Sequence, residues 1–228
     1  MHGDADLATP ARLMGEPARA AMLVALLDGR ALPASDLAAI AGVKPSTASA
    51  HLAQLVDGGL VTDRRLGRHR YFALAGPEVA NAVEALQLLA PRREVRSYTQ
   101  SATAARLAEA RSCYDHLAGR VALRLADALV AEGLIAPLAA GEPGRILDTS
   151  GALARRFDLD AAQATDAPTR RPAIRGCLDW TERRPHIAGG LGAQLLESLL
   201  AEGWISRVPG DRSLRISAAG RAGLAALG

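Results

Sequence analysis

Aromatic residues make up only 3% of this 228-residue chain, and of its 27 lysines and arginines only Lys44 is a lysine. With so few rings, the core has to rest on Ala, Leu and Val, which favours helices over a broad sheet. The preference for Arg over Lys runs through the whole chain, so it carries little functional weight by itself. Cysteine is scarce too: Cys113 and Cys177 cannot build a disulfide framework. The longest apolar runs, such as 20–27, fall far short of a membrane span, and no signal-peptide pattern opens the chain. These absences lead to the expectation of a soluble cytoplasmic protein with no membrane partner. Enzyme signatures are missing as well. There is no Gly-rich phosphate loop after a strand, no nucleophile elbow and no zinc-protease helix motif, so an enzyme is not expected.

What is present is an ordinary globular balance, 49% hydrophobic and 22% charged, with a net charge of +3 that points modestly to an anionic partner. The length allows two modest domains. Apolar periodicity from Leu7 to Asp28 predicts one or two helices broken near Pro17, with Leu13, Met22, Leu23, Leu26 and Leu27 as the buried stripe. A short helix from Pro33 to Ile40, the connection Gly42-Val43-Lys44, and a helix from Pro45 to about Val56 then read as a helix-turn-helix. The second of these helices presents Ser46, Thr47, Ser49, Ala50, His51 and Gln54 on its leading and outer faces, while Leu52 and Leu55 point to the core. Small, hydrogen-bonding side chains without acids are what a helix needs to approach base edges in a major groove. Residues 60–74 read as a β-hairpin turning at Leu66-Gly67-Arg68. It gathers Arg64, Arg65, Arg68, His69 and Arg70, with Tyr71, against the single acid Asp63, a surface suited to phosphate.

The run from Ser46 to Val61, followed by Gly67-Arg68-His69-Arg70-Tyr71, resembles the ArsR/SmtB family of small bacterial repressors over roughly residues 10–90. The resemblance implies a homodimer built on the first helix and on the helix after the wing, Pro77 to Ala90, and a double-stranded DNA partner. It implies that Ser46, Thr47, Ser49, Ala50 and Gln54 face bases while Arg64, Arg65, Arg68 and Arg70 hold the backbone. For His51 it leaves two roles open, a partly buried residue that fixes the helix or a DNA contact. Lys44, His69 and Tyr71 complete the expected DNA-binding set. The chain departs from the family where many members bind metal. Leu32 to Leu37 holds no thiol, and Pro77 to Ala90 holds no histidine, so both usual metal positions lack the ligands they need. Any sensing must then use the second half.

That half carries a weak internal repeat. Residues 116–135 align without a gap on 186–205, with nine of 20 positions identical. Each copy opens on His-x-Ala-Gly, closes on Ala-Glu-Gly-x-Ile, and is preceded by Cys-x-Asp, at Cys113 to Asp115 and Cys177 to Asp179. The expected organisation is a winged helix-turn-helix over 1–92, a linker near 91–101 and an accessory domain over 93–228. That domain is read as a helix from about Ala102 to Glu132 with pseudo-repeats near 113–151 and 177–220, the second ending in a wing-like hairpin. The fold class is mainly α with small β-hairpin wings. If the copies pack about a local two-fold, Cys113, Asp115, His116, Cys177, Asp179 and His186 converge. Two thiolates and two imidazoles suit a tetrahedral zinc-like ion, and two thiols alone could form a redox-switched disulfide. The alternative is plain packing and capping, since free cysteine is among the most buried residue types. Tyr114, Trp180 and Trp204 could instead line a pocket for a small-molecule effector, or simply be core. The expected function is a dimeric DNA-binding repressor answering an effector through its second half. The competing reading is a winged-helix architectural or interaction protein that senses nothing.

Overall fold

Proline and glycine place the helix ends of the first ninety residues. Glu16 caps the helix opened by Pro17, its carboxylate accepting from the Arg19 amide. Pro45 opens another helix at the position where its missing N–H costs nothing. Gly42, at φ +65°, makes the turn just before that helix, in a conformation that an L side chain resists. The computed structural model describes residues 4–91, 97–165 and 172–227, and the chain divides into two units, Met1–Pro91 and Arg92–Gly228.

The first unit runs α1 (Ala8–Met14), α2 (Pro17–Leu26), β1 (Leu32–Pro33), α3 (Ala34–Ala41), α4 (Pro45–Asp57), β2 (Val61–Leu66), β3 (His69–Leu74) and α5 (Pro77–Leu89). Strand order is β1-β3-β2, all antiparallel. Met22, Leu23, Leu26 and Leu27 of α2 and its end meet Leu37, Leu52, Leu55, Phe72 and Leu74 in a sealed core. Each such side chain contributes about 1.5–3 kcal/mol by leaving water. Helices α3 and α4 and the β2–β3 hairpin together form a winged helix-turn-helix. The two-residue β1, which the sequence does not announce, ties the start of α3 to the wing through Leu32 opposite Phe72.

The second unit runs α6 (Tyr98–Glu109), β4 (Arg111–Cys113), β5 (His116–Ala118), α7 (Arg120–Ala131), α8 (Ala152–Arg156), α9 (Ala161–Thr165), β6 (Arg175–Leu178), β7 (Pro185–Ala188), α10 (Gly190–Ala201), β8 (Ile205–Val208), β9 (Asp211–Ile216) and α11 (Ala218–Ala225). Two expectations need correcting here. Of the linker read over 91–101, residues 92–96 lie outside the described residues, but from Tyr98 the chain is already helical, capped by the Ser97 hydroxyl. The single helix expected from 102 to 132 is interrupted by the β4–β5 hairpin. Helix-forming residues are overridden there because Arg111 also pairs with Ser213 of β9, far along the chain.

The internal repeat is a structural one. In each copy a β-hairpin (β4–β5, β6–β7) runs into a helix (α7, α10) through a glycine, Gly119 at φ +91° and Gly189 at φ +87°. A Cβ on Gly119 would meet the Ala108 carbonyl at 2.8 Å, and one on Gly189 the Pro172 carbonyl at 2.6 Å, so both turns demand glycine. The copies interlock: α7 packs on β7 of the second copy, α10 packs on β5 of the first, and β5 meets β7. After each helix the chain returns antiparallel, as the full β8–β9 hairpin in the second copy and as the single Ile135–Ile146 bridge in the first. Leu125, Leu129, Leu195, Leu199, Phe157 and Trp204 belong to the one core beneath both copies.

Candidate functional site

The DNA-facing candidates lie on α4 and the wing of the first unit. Lys44, Ser46, Thr47, Ser49 and Ala50 are exposed along the leading end of α4, while Ala48, Leu52 and Leu55 are buried beneath them. The Ser49 hydroxyl donates to the Pro45 carbonyl at 3.0 Å, so it reaches any base as an acceptor or after rotating. Gln54 departs from a simple base-reading role. Its Oε1 accepts from the nearly buried Arg19 at 2.7 Å, and the same guanidinium donates to the Leu13 and Arg12 carbonyls. His51 is half-buried with Nδ1 3.6 Å from Glu16, which sets it against the start of α2 instead of the exposed face.

In the wing, Arg64, Arg65, Arg68 and His69 are exposed, and Tyr71 is half-buried opposite Arg64. Arg65 stands directly across from Arg70 in the β2–β3 register. Like charges placed so are unfavourable until an anion joins them. Arg70 is partly answered by Asp63 at 2.8 Å and lies over the Phe72 ring. Hydrogen bonding from Arg70 holds the Asp63 carboxyl below its ordinary value. That leaves Arg64, Arg65 and Arg68 as the open cationic edge of an exposed hairpin, in the unit that also presents the acid-free face of α4.

The second candidate is buried in the second unit. Strand register sets Cys113 directly opposite His116 in β4–β5 and Cys177 directly opposite His186 in β6–β7. Each hairpin therefore offers one sulfur and one imidazole side by side, and the interlocked repeats bring the two pairs together. One donor atom from each of Cys113, His116, Cys177 and His186 lies within 4.8 Å of all the others. Both cysteines of the chain and two of its five histidines meet there. The sulfurs are 3.7 Å apart and the cysteines are free thiols. Two thiolates bound at the usual zinc distance around a tetrahedral ion stand about 3.8 Å apart, so the spacing matches a metal site and is too long for an S–S bond in this state. The rings of His116 and His186 lie 5.1 Å apart, tilted by 31°.

The electrostatics agree with that donor set. The Cys113 hydrogen bond pulls the Cys177 thiol well below its ordinary value against the opposing effect of burial, and His116 and His186 add to the pull. Burial pushes His186 down, favouring the neutral imidazole. Thiolate and neutral imidazole are the forms a metal takes. His186 is fully buried, and neither ring nitrogen has a hydrogen bond of ordinary geometry among the described residues. Cys177 and Asp179 lie near it, but a buried ring nitrogen without a well-formed hydrogen bond is costly unless something else satisfies it.

The two aspartates stand behind the cluster and are not among its four donors. Asp115 Oδ1 is 3.3 Å from His116 Nδ1. Asp179, fully buried, pairs with the equally buried Arg111 at 2.9 Å and accepts from the Gly119 amide at 2.7 Å. Its other oxygen accepts from the Thr181 amide and hydroxyl and the Glu182 amide. Burial alone would raise its carboxyl, but the Arg111 charge and these donors outweigh that and hold it at about 2. Sequence reasoning missed Arg111, whose only advance signal is a charged residue two positions before Cys113. As for the aromatics, Trp180 lies under the Arg111 guanidinium and Trp204 packs edge-on to Phe157 in the core, while Tyr114, at φ +60°, makes the β4–β5 turn. No helix among the described residues is long and apolar enough to cross a membrane.

Comparison with known proteins bears on the whole chain. Residues 14–64 match a family described as a helix-turn-helix domain. Over 217 residues, 95% of this chain and 94% of the relative, the chain is 39% identical to the Bacillus subtilis (strain 168) protein YdfF, an uncharacterized HTH-type transcriptional regulator. Over 77 residues, 34% of this chain and 64% of the relative, it is 42% identical to the HTH-type transcriptional regulator CmtR of Mycobacterium tuberculosis (strain ATCC 25618 / H37Rv). Among solved structures it is similar to the homodimeric winged helix-turn-helix domain of Mb0332 from Mycobacterium bovis, a possible ArsR-family regulator. That match has 29% identity and a TM-score of 0.34, covering 39% of this chain and 89% of the other.

Proposed function

Because the chain belongs to the HTH-type transcriptional regulators and its winged unit resembles the ArsR/SmtB family, we propose that it acts as a homodimeric repressor controlled through a transition metal of the zinc type in its second unit. DNA binding itself is the function of this family and of the α3–α4–wing unit. The observation that carries the finer reading of that surface is the pairing of an exposed, acid-free α4 face with an open arginine edge on the wing. In this reading Ser46, Thr47, Ser49 and Ala50 approach base edges, and Lys44, Arg64, Arg65 and Arg68 hold phosphates. The helices that would join two copies are α1 and α5; Leu7, Leu86 and Leu89 on and beside them are large apolar side chains left exposed in the single chain. The metal would sit among Cys113, His116, Cys177 and His186, whose donor set and spacing support a four-coordinate ion.

One titration tests the whole reading. The purified full-length chain, as isolated and after chelation and reloading with Zn²⁺, is measured against its own promoter region and against scrambled DNA at several salt concentrations. A palindromic footprint, a large gap between specific and scrambled DNA, and an affinity that follows metal content support the proposal. Equal, steeply salt-dependent binding to both DNAs, unchanged by metal, overturns it in favour of a sequence-blind architectural protein.

A further inference from the structure

Resting on the reading of the cluster as a metal centre, we infer that the two repeats supply equivalent half-sites, each a cysteine sulfur, a histidine Nε2, and an aspartate that holds that histidine's Nδ1. Asp115 and Asp179 are thus positioning residues and not ligands. An imidazole that binds a metal through one nitrogen keeps a proton on the other, and that N–H is almost always donated to a carboxylate or carbonyl. In the first repeat the group beside Nδ1 of His116 is Asp115, at 3.3 Å. In the second, the group beside Nδ1 of His186 is Asp179 Oδ2, at 3.8 Å. The same nitrogen faces the same element of the Cys-x-Asp motif in both copies, although the hairpin loops that separate cysteine from histidine differ in length. With an aspartate beside each Nδ1, Nε2 is the nitrogen left for the ion, and the 3.8 Å gap at His186, longer than a hydrogen bond, closes as the ion binds.

The half-sites differ in stiffness. Asp179 is locked by Arg111, Gly119, Thr181 and Glu182, so it offers His186 a fixed acceptor. Asp115 sits in a tight turn and is partly exposed. The Arg111–Asp179 pair also joins the repeats, since Arg111 and Gly119 flank the first hairpin and Asp179 follows β6. An ion bound by both half-sites would have four protein donors, three of them on buried residues and the fourth on the partly buried Cys177. It welds the repeats together and leaves no coordination position for a further ligand.

The test uses the full-length chain loaded with ¹¹³Cd²⁺ or Zn²⁺ and labelled with ¹⁵N. Long-range proton–nitrogen spectra of the histidine rings show which nitrogen carries metal. Nε2 bound and Nδ1 protonated at both His116 and His186 is the expected result; metal on Nδ1 at either ring overturns the inference. Asp179→Asn and Asp115→Asn are then measured by chelator competition and by the Co²⁺ absorption spectrum. The expected outcome is a tetrahedral spectrum kept in both, with metal affinity falling about 10–100-fold for Asp179→Asn and by less for Asp115→Asn. Wild-type affinity in both variants overturns the positioning role. Should Asp179→Asn fail to fold, Asp115→Asn together with the wild-type tautomers still decides the matter. If the wild-type chain takes up no metal, the reading of the cluster falls and this inference falls with it. Metal bound through Nδ1 sinks this inference alone.

Discussion

The two units put the polar groups of their candidate sites in opposite places. In the first, although Arg19, Asp28 and Glu84 are buried, the candidate DNA-facing groups stand on the surface: the wing strand β2 is exposed from Thr62 to Leu66, and its arginines project from a hairpin over an apolar core. In the second, Arg111, Asp179, His116 and His186 are buried, and the exposed arginines are scattered through ion pairs such as Arg106–Asp211 and Arg156–Glu202. A surface charge set can be deleted with little harm to the fold, because water replaces the missing partner. A buried set cannot, because each removed group strands another in a medium that does not solvate it. One unit is therefore built to bind through its outside and the other to be specified from its inside.

Removing the cluster should have the largest effect. Structural zinc in small peptides contributes about 10–16 kcal/mol to the folded state. With the cluster holding the proposed ion, chelation, or Cys177→Ser, is expected to destabilise the second unit by several kcal/mol in calorimetry while leaving the transition of the first in place. A first-unit transition that drops equally would break the contrast between them. Next in size is Arg111→Met. It leaves Asp179 as a buried charge without its guanidinium, and breaking such a pair costs about 3–5 kcal/mol. Chemical denaturation monitored at Trp180, which lies against Arg111, would register the change. A cost under about 1 kcal/mol would show that the second unit tolerates stranded charge as the surface does.

The wing predicts the reverse pattern. Arg65→Ala and Arg68→Ala should weaken binding to all DNA sequences and lower the slope of log affinity against log salt by about 0.9 for each phosphate that is no longer neutralised. Thermal stability should hold, and for Arg65→Ala it should rise slightly, since Arg70 is then relieved of a like charge directly opposite. Gln54→Ala belongs between the two classes. It removes an exposed side chain, yet strands one donor of the nearly buried Arg19. An expected stability loss of about 1–3 kcal/mol would accompany any change in base preference. Altered preference at full stability would show Gln54 to be a free base reader.

These contrasts also explain what could be read from residues alone. The winged unit is written in local signals. Gly42, Pro45 and Gly67 fix turns within a few residues, and the leucines of α2 and α4 repeat at helical spacing. The repeat and its Cys/His groups were legible too, because identical ends of an alignment survive whatever lies between them. The β4–β5 hairpin was not. Its strands are three residues each in an Ala- and Arg-rich stretch, and β4 is held by β9, which pairs with it from about a hundred residues away. The parts played by Arg111 and Asp179 were hidden for the same reason. Their ion pair spans 68 positions, so no spacing rule announces it. Gln54 shows the limit on the surface side: its place on the helix was readable, but its hydrogen bond to Arg19 was not.

The smallest effect lies at the border between buried and exposed. Asp211, at the start of β9, meets Arg106 of α6 at 3.2 Å and accepts from the Ser213 amide and hydroxyl. Burial alone would raise its carboxyl, but the Ser213 bonds and the Arg106 charge win and hold it below its ordinary value. A carboxyl depressed in the folded state binds its proton less readily than the unfolded chain does. Its contribution is complete above the unfolded value of about 3.9 and disappears as pH falls through the lower folded one. Asp211→Asn should therefore cost under about 1 kcal/mol near pH 7, as partly exposed pairs do, and flatten the acid limb of the second unit's stability curve below about pH 4. Parallel urea titrations of the variant and the wild-type chain at neutral pH and near pH 3 would check this. A gap that widens in acid would place the acid-sensitive interaction elsewhere. A gap that closes would mark this hairpin as the part of the second unit that obeys the surface rule of the first.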